Sequence, residues 1–286
     1  MSLLLLSCPY MLFGAHVSIA GGIVNAPLNA AKLGCEVFQM FTRSPQGGQA
    51  PEITEETART FLATCKEHNL SEWVVHAPYY INFANAEARI RNNSVRIIRE
   101  ELERASQIKA KYVMFHPGSA SGVGEKQAMQ FVVDGIKRIL DGYEGSTRLL
   151  IEISAGAGMV IGDTFEEIAE ILDGVGDRAL GVCFDTAHAF ASGYDLRDAA
   201  SVHKTLADFD KTIGLSRLKM SHCNDSKVEL GARRDRHEHI GNGHIGKKGF
   251  DALMHHPVFS KLNFYLETEP EGIKKDLQTL KKMRDL

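Results

Sequence analysis

"SVRIIREELERASQIKAKYVMFHP" (residues 94–117) holds two periodicities in one short stretch. Its first part carries Val95, Ile98, Leu102 and Ala105 at steps of three and four, the spacing of one apolar face on a helix. Its last part, "KYVMFHP" (111–117), is a short apolar run that ends in a histidine. Helix followed by buried strand is the repeating unit of an α/β fold. Seven further runs resemble that strand: "MLFGAHV" (11–17), "CEVFQMF" (35–41), "EWVVHA" (72–77), "RLLIEIS" (148–154), "ALGVCFD" (179–185), "RLKMSHC" (217–223) and "NFYLETE" (263–269). Helix-like stretches such as "TFEEIAEILDGVG" (164–176) lie between them, and the terminal "KKDLQTLKKMRDL" reads as the last helix. Eight strands alternating with helices predict α/β architecture, a single (β/α)8 TIM barrel over residues 1–286. A doubly wound open sheet would want a glycine-rich phosphate loop after its first strand, and "AGG" at 20–22 does not fit that pattern.

The totals agree. A length of 286 residues suits one such barrel, and 44% hydrophobic with 24% charged residues argues against wholesale disorder. Five cysteines, an odd number with no CxxC, fit a reducing cytoplasm better than a disulfide framework. The leading "SLLLL" is too short to span a bilayer and reads as a lead into the first strand, so no membrane role is expected. The net charge of −3 argues mildly against nucleic acid, but three divalent ions would turn it to +3.

Six strand runs end in a potential metal ligand: His76, His116, Glu152, Asp185, His222 and Glu267. Parallel strands of a barrel open on one face, so these side chains should converge. A lone strand-end histidine is often a hydrogen-bonded core residue. Three carboxylates converging without a cation would instead repel and desolvate. Loop residues add to the set. His188 follows Asp185 in "DTAHAF", and "RRDRHEHIGNGHIG" (233–246) supplies Asp235 and His237, which two-residue spacing turns to one side while Arg234 and Arg236 face away. His239 and His244 read as supporting residues. A histidine and carboxylate donor set suits zinc or manganese, and nine ligands imply two or three ions, which typically clamp a phosphoryl group.

The stretches "GAHVSIAGG" (14–22), "HAPYYINFAN" (76–85), "FHPGSASG" (115–122), "IEISAGAG" (151–158), "CFDTAHAFASGYD" (183–195), "SHCNDSKVELGARRDRHEHIGNGHIG" (221–246) and "LETEPEG" (266–272) together make the chain resemble endonuclease IV, the metal-dependent AP endonuclease family of base-excision repair. The resemblance runs nearly end to end. It implies three zinc ions (with manganese possible in part) and a monomer acting on double-stranded DNA that contains abasic sites. His76, His116 and Glu152 would hold the first ion, with Glu152 bridging to the second. Asp185, His222 and Glu267 would complete the second, and His188, Asp235 and His237 would hold the third. The implied chemistry is hydrolysis of the phosphodiester 5′ to an abasic deoxyribose by a hydroxide between two zincs, leaving a 3′-hydroxyl and a 5′-deoxyribose phosphate, with trimming of blocked 3′ ends. Glu152, His116 and Glu267 would carry the catalytic positioning.

DNA contacts are expected from Tyr79 and Tyr80 as wedges, and from Arg43, Gln46, Arg234 and Arg236. Here the sequence departs from the family. The second-strand loop "TRSPQGGQAPE" (42–52) has no arginine beyond Arg43, and Ile153 and Ala157 stand where polar residues are common. The competing expectation is a metal-dependent sugar isomerase or epimerase on the same barrel. The extra His188/Asp235/His237 set separates the two, because such enzymes need only one or two ions.

Overall fold

The computed structural model describes residues 11–177 and 179–285. The leading apolar run falls outside them. In chain order the elements are β1 (Phe13–His16), α1 (Asn25–Leu33), β2 (Val37–Met40), α2 (Glu55–Glu67), β3 (Glu72–His76), α3 (Ala88–Gln107), β4 (Tyr112–Phe115), α4 (Glu125–Leu140), β5 (Arg148–Glu152), α5 (Phe165–Val175), β6 (Gly181–Asp185), α6 (Thr186–Ala191), α7 (Ala199–Thr212), β7 (Leu218–His222), β8 (Asp225–Ser226), β9 (His237–Glu238), α8 (Gly246–His255), β10 (Phe264–Leu266) and α9 (Ile273–Arg284). Eight of the strands close a parallel barrel in the order β1-β10-β7-β6-β5-β4-β3-β2. Strands β8 and β9 form a separate antiparallel pair above it. Each of the eight apolar runs singled out in the sequence contains a barrel strand, and the terminal segment is helix α9 as far as Arg284.

The strands read as continuous apolar runs because both faces are covered. Val37, Val74, Met114, Leu150, Cys183, Met220 and Tyr265 fill the barrel interior. Their neighbours Phe38, Val75, Phe115, Ile151, Phe184 and Leu266 pack outward against the helices. On β1, Phe13 and Ala15 belong to that outer cluster, which leaves Gly14 and His16 pointing in. A Cβ on Gly14 would lie 1.8 Å from the Val37 carbonyl oxygen, so only glycine lets β1 approach β2 this closely.

Helix boundaries follow local chemistry. Helix α5 starts where the Thr164 side chain accepts from the Glu167 N–H and stops at Gly176, whose φ of 75° is left-handed. Helix α3 begins six residues before the stretch that the apolar stripe marked, and Lys109 at φ 55° turns the chain out of it. Its inner face adds Glu101 to the expected Val95, Ile98, Leu102 and Ala105. No helix among the described residues is long and apolar enough to cross a membrane.

Candidate metal centre

Side chains alternate along a strand, so the residue two beyond each interior side chain also points inward. That rule generates one polar layer at the C-terminal end of the barrel. Gly14, Val37, Val74, Met114, Leu150, Cys183, Met220 and Tyr265 are followed two positions later by His16, Gln39, His76, His116, Glu152, Asp185, His222 and Glu267. Six of these eight were singled out from the sequence. His16 and Gln39 were missed, although the same spacing marks them.

The donor atoms fall into three groups. In the first, Glu152 Oε2 lies 3.3 Å from His76 Nε2 and 3.5 Å from His116 Nε2. In the second, His222 Nδ1 lies 2.8 Å from Glu152 Oε1, 3.4 Å from Glu267 Oε2 and 3.7 Å from Asp185 Oδ2. In the third, His188 Nε2 and His237 Nε2 are 3.3 Å apart, and Asp235 Oδ1 is 3.3 Å from one and 3.4 Å from the other. Four-coordinate zinc with bonds of ~2.0–2.1 Å separates its ligand atoms by about 3.3 Å. Asp185 sits between the groups, with Oδ2 also 3.8 Å from His237 Nε2.

Two observations test whether a cation fits. Glu152 is fully buried, and its Oε2 has no hydrogen-bond partner among the described residues. A buried carboxylate oxygen left alone is costly, and a cation between it and the two imidazoles removes that cost. The second is ring orientation. His76 Nδ1 lies 2.6 Å from the Ala77 carbonyl, His188 Nδ1 3.0 Å from the Ile153 carbonyl, His237 Nδ1 3.3 Å from the Glu267 carbonyl and His222 Nε2 2.6 Å from Gln39 Oε1. Each ring thus donates one N–H to an oxygen and turns its other nitrogen to the cluster, as metal-binding histidines do. The residues fit divalent metal.

Charge balance points the same way. Burial opposes ionisation of Glu267, but the His222 imidazole and its neighbours hold its carboxyl down to about 2. Glu152 is likewise held well below the usual carboxylate range against its burial, by His116 and His222. Burial disfavours protonation of His188, yet Asp185, Asp235 and Glu152 raise it well above an ordinary imidazole. The protein alone balances its carboxylates with protonated histidines. A metal would replace those protons.

Local structure explains the placement. Asp185 caps α6, accepting the His188 N–H at 2.8 Å through Oδ1, and this short helix carries His188 back over the cluster. Asn224 donates to Asp185 Oδ2 at 2.7 Å and accepts the Glu267 N–H at 2.8 Å. The loop bearing Asp235 and His237 is held from below. The Asp225 carboxylate accepts backbone N–H groups of Gly241, Gly243 and Ile245 at 2.9–3.0 Å. A Cβ on Gly243 would lie 2.5 Å from Asp225 Oδ1, so glycine is needed there. Arg233, at φ 54°, clamps the other side through Gly156 O and Asp163 Oδ2. His239 is a supporting residue, 2.7 Å from Asp276 Oδ2.

The expected DNA contacts divide. Tyr79 is 72% exposed at the cleft mouth, with its ring against Phe41 and His76. Gln46, Arg234 and Arg236 are exposed. Arg236 does not turn away as expected: it lines the cleft with Lys227, Asp235 and His237. Arg43 is corrected. It is 3% exposed and bound to Glu101 and, at 2.9 Å, to Glu100, so its guanidinium faces helix α3 and cannot reach a phosphate. Tyr80 is corrected as well. It is half-buried against the core with its hydroxyl enclosed, which leaves Tyr79 as the protruding ring.

The cleft above the cluster encloses about 530 Å3. A closed parallel barrel with candidate metal ligands ringing its C-terminal mouth places the chain in a class. The family model described as xylose isomerase-like TIM barrel matches residues 27–283. Within that class the relatives are more particular. The chain is 39% identical to a protein named probable endonuclease 4 from Halothermothrix orenii, over 96% of this chain and 99% of that one. It is 38% identical to the Aquifex aeolicus protein of the same name, over 91% and 93%. The crystal structure of endonuclease IV from Thermus thermophilus superposes with a TM-score of 0.85 at 32% identity, covering 96% and 99%. The chain belongs to the endonuclease IV family. A D-tagatose 3-epimerase-like protein also superposes, with a TM-score of 0.75 at 19% identity, and shows the shared fold alone.

Proposed function

We propose that the protein is a zinc-dependent AP endonuclease that hydrolyses the phosphodiester 5′ to an abasic site in double-stranded DNA, leaving a 3′-hydroxyl and a 5′-deoxyribose phosphate, and that trims blocked 3′ ends. The observation that carries this reading is the third donor group. His188, Asp235 and His237 stand at mutual distances of 3.3–3.4 Å, beside a separate set built around Glu152. A sugar isomerase needs only one or two ions, whereas phosphodiester hydrolysis gains from an additional one at the phosphate.

His76, His116 and Glu152 would hold one zinc, Glu152 with Asp185, His222 and Glu267 a second, and His188, Asp235 and His237 a third. Bound there, zinc lowers the pKa of water towards ~7 and neutralises charge on a phosphoryl group. Glu152, shared between two groups, fixes their separation. His116 and Glu267 set the outer edges of those groups. Asp235, 57% exposed, is the ligand nearest solvent and faces the arriving phosphate. Arg236 and Lys227 line the same cleft and supply positive charge to the strand. Tyr79 stands where an aromatic wedge can enter the base stack. Manganese can substitute in part, since the donor set suits both metals.

The test is nicking of a duplex carrying one tetrahydrofuran abasic analogue, which cannot undergo β-elimination. The metal-loaded protein is expected to cut 5′ to the analogue, and Asp235→Ala to lose nearly all of that activity. A fully metallated protein that leaves the duplex intact would overturn the reading.

A further inference from the structure

Of the eight inward residues in the polar layer, Gln39 and His16 lie in none of the three donor groups. Gln39 is fully buried. Its Nε2 lies 2.6 Å from Glu267 Oε1 and 3.0 Å from His16 Nδ1, and its Oε1 lies 2.6 Å from His222 Nε2. These three contacts lock one another. An ionised carboxylate only accepts hydrogen bonds, so the amide nitrogen must face Glu267 and the amide oxygen must face His222. His222 therefore carries a proton on Nε2 and turns Nδ1 towards Glu152 and Glu267, where a metal would take the place of any proton on it. The second amide hydrogen points at His16 Nδ1, which must be an acceptor. A neutral His16 then carries its proton on Nε2.

That nitrogen makes no hydrogen bond among the described residues. The ring packs 4.4 Å from Phe41 and keeps 18% of its surface on the cleft, in the same wall as His76 and Glu267. We propose that Gln39 is a positioning residue whose single amide sets the tautomers of His222 and His16 together, and that His16 is thereby a neutral Nε2–H donor to an anionic oxygen of the bound substrate. The tautomer claim stands on geometry. Only the choice of a phosphate oxygen as acceptor rests on the function proposed above.

Long-range proton–nitrogen NMR of the zinc-loaded, 15N-histidine-labelled full chain tests it without DNA. In the wild type, His16 and His222 are expected to be protonated at Nε2, and inorganic phosphate to shift His16 Nε2 saturably. In Gln39→Glu the new carboxyl either accepts from His16 or gives its one proton to Glu267. In both cases the His16 proton moves to Nδ1. A wild-type His16 protonated at Nδ1, or a His16 signal unmoved in Gln39→Glu, overturns the positioning role. Should that variant fail to fold, the wild-type spectrum decides alone.

For the donor role, His16→Gln keeps an amide nitrogen near the place of Nε2, whereas His16→Asn keeps one only near Nδ1. Phosphate binding is expected to weaken about tenfold more in His16→Asn, the scale of one hydrogen bond to a charged group. Equal loss in the two variants, at equal zinc content, would show no donor at Nε2. If these results hold while the abasic duplex stays uncut, the endonuclease reading fails and this inference survives it.

Discussion

The two ends of the barrel close in opposite ways. At the N-terminal end, Glu72 accepts from the Tyr265 hydroxyl at 2.7 Å and from Asn263 Nδ2 at 3.0 Å, and it pairs with Lys111. One carboxylate meets one cation and two donors. At the C-terminal end, Glu152, Asp185 and Glu267 crowd among His76, His116, His188 and His222, and Glu152 Oε2 has no hydrogen-bond partner among the described residues. A polar network that satisfies itself closes a barrel. One that needs a cation to be satisfied is a site.

The largest expected effect breaks the site end. Glu152→Gln removes the residue shared by two donor groups, and nicking of abasic duplex should fall about 10^3-fold or more, the scale of losing a main stabiliser of transition-state charge. Its zinc content, measured by atomic emission, should fall with it. Activity and zinc content both close to wild type would mean that Glu152 organises no metal.

Chelation should expose the charge imbalance as pH-dependent stability. His188 and His222 have folded pKa values raised well above 6.5, so their contribution is full below that value and is lost as pH rises through the raised one. Glu267 is held down to about 2 from 4.5, so its contribution is present above 4.5 and is lost as pH falls towards 2. The metal-free protein should therefore melt at a lower temperature at alkaline pH than at pH 6, and lower again in strong acid. The zinc-loaded protein should stay flat on the alkaline side. Parallel curves for the two forms would contradict that balance of charge.

The other end should behave differently under the same kind of change. Glu72→Gln leaves the half-exposed Lys111 without its counter-charge and should lower stability by about 1 kcal/mol or less. Zinc content and cleavage rate at 25 °C should match the wild type. A large loss of activity in this folded variant would erase the distinction between the two ends.

The third-strand loop gives the smallest effects. Tyr79→Ala should weaken binding to abasic duplex about tenfold, the scale of one base–aromatic contact, with zinc content intact. Tyr80→Phe removes a buried hydroxyl that has no partner among the described residues, and its melting temperature should stay level or rise slightly. Equal effects of the two on DNA affinity would restore Tyr80 as a second wedge.

Much of this was legible in the chain. The eight runs and their spacing mark the barrel, because a strand buried on both faces can only be apolar until it emerges. The candidate ligands His76, His116, Glu152, Asp185, His222 and Glu267 stand out because polar residues at the ends of such runs break the pattern. His16 and Gln39 obey the same period but follow glycine and valine in runs with softer boundaries. Arg43 misled for a different reason. A loop arginine near the cleft mouth looks like a phosphate contact until helix α3 is seen to bury Glu101 beside it.

By itself the sequence determined which residue types sit at the strand ends, and so the kind of chemistry available, because alternation along one strand is local. Tertiary structure alone decided the rest. The 3.3 Å approach of His188, Asp235 and His237 joins residues up to 49 positions apart. The choice between Tyr79 and Tyr80, adjacent and alike in type, depends on which ring the loop turns outward. Distances between strands and the burial of a loop side chain depend on how the barrel closes, and no window of sequence contains that closure.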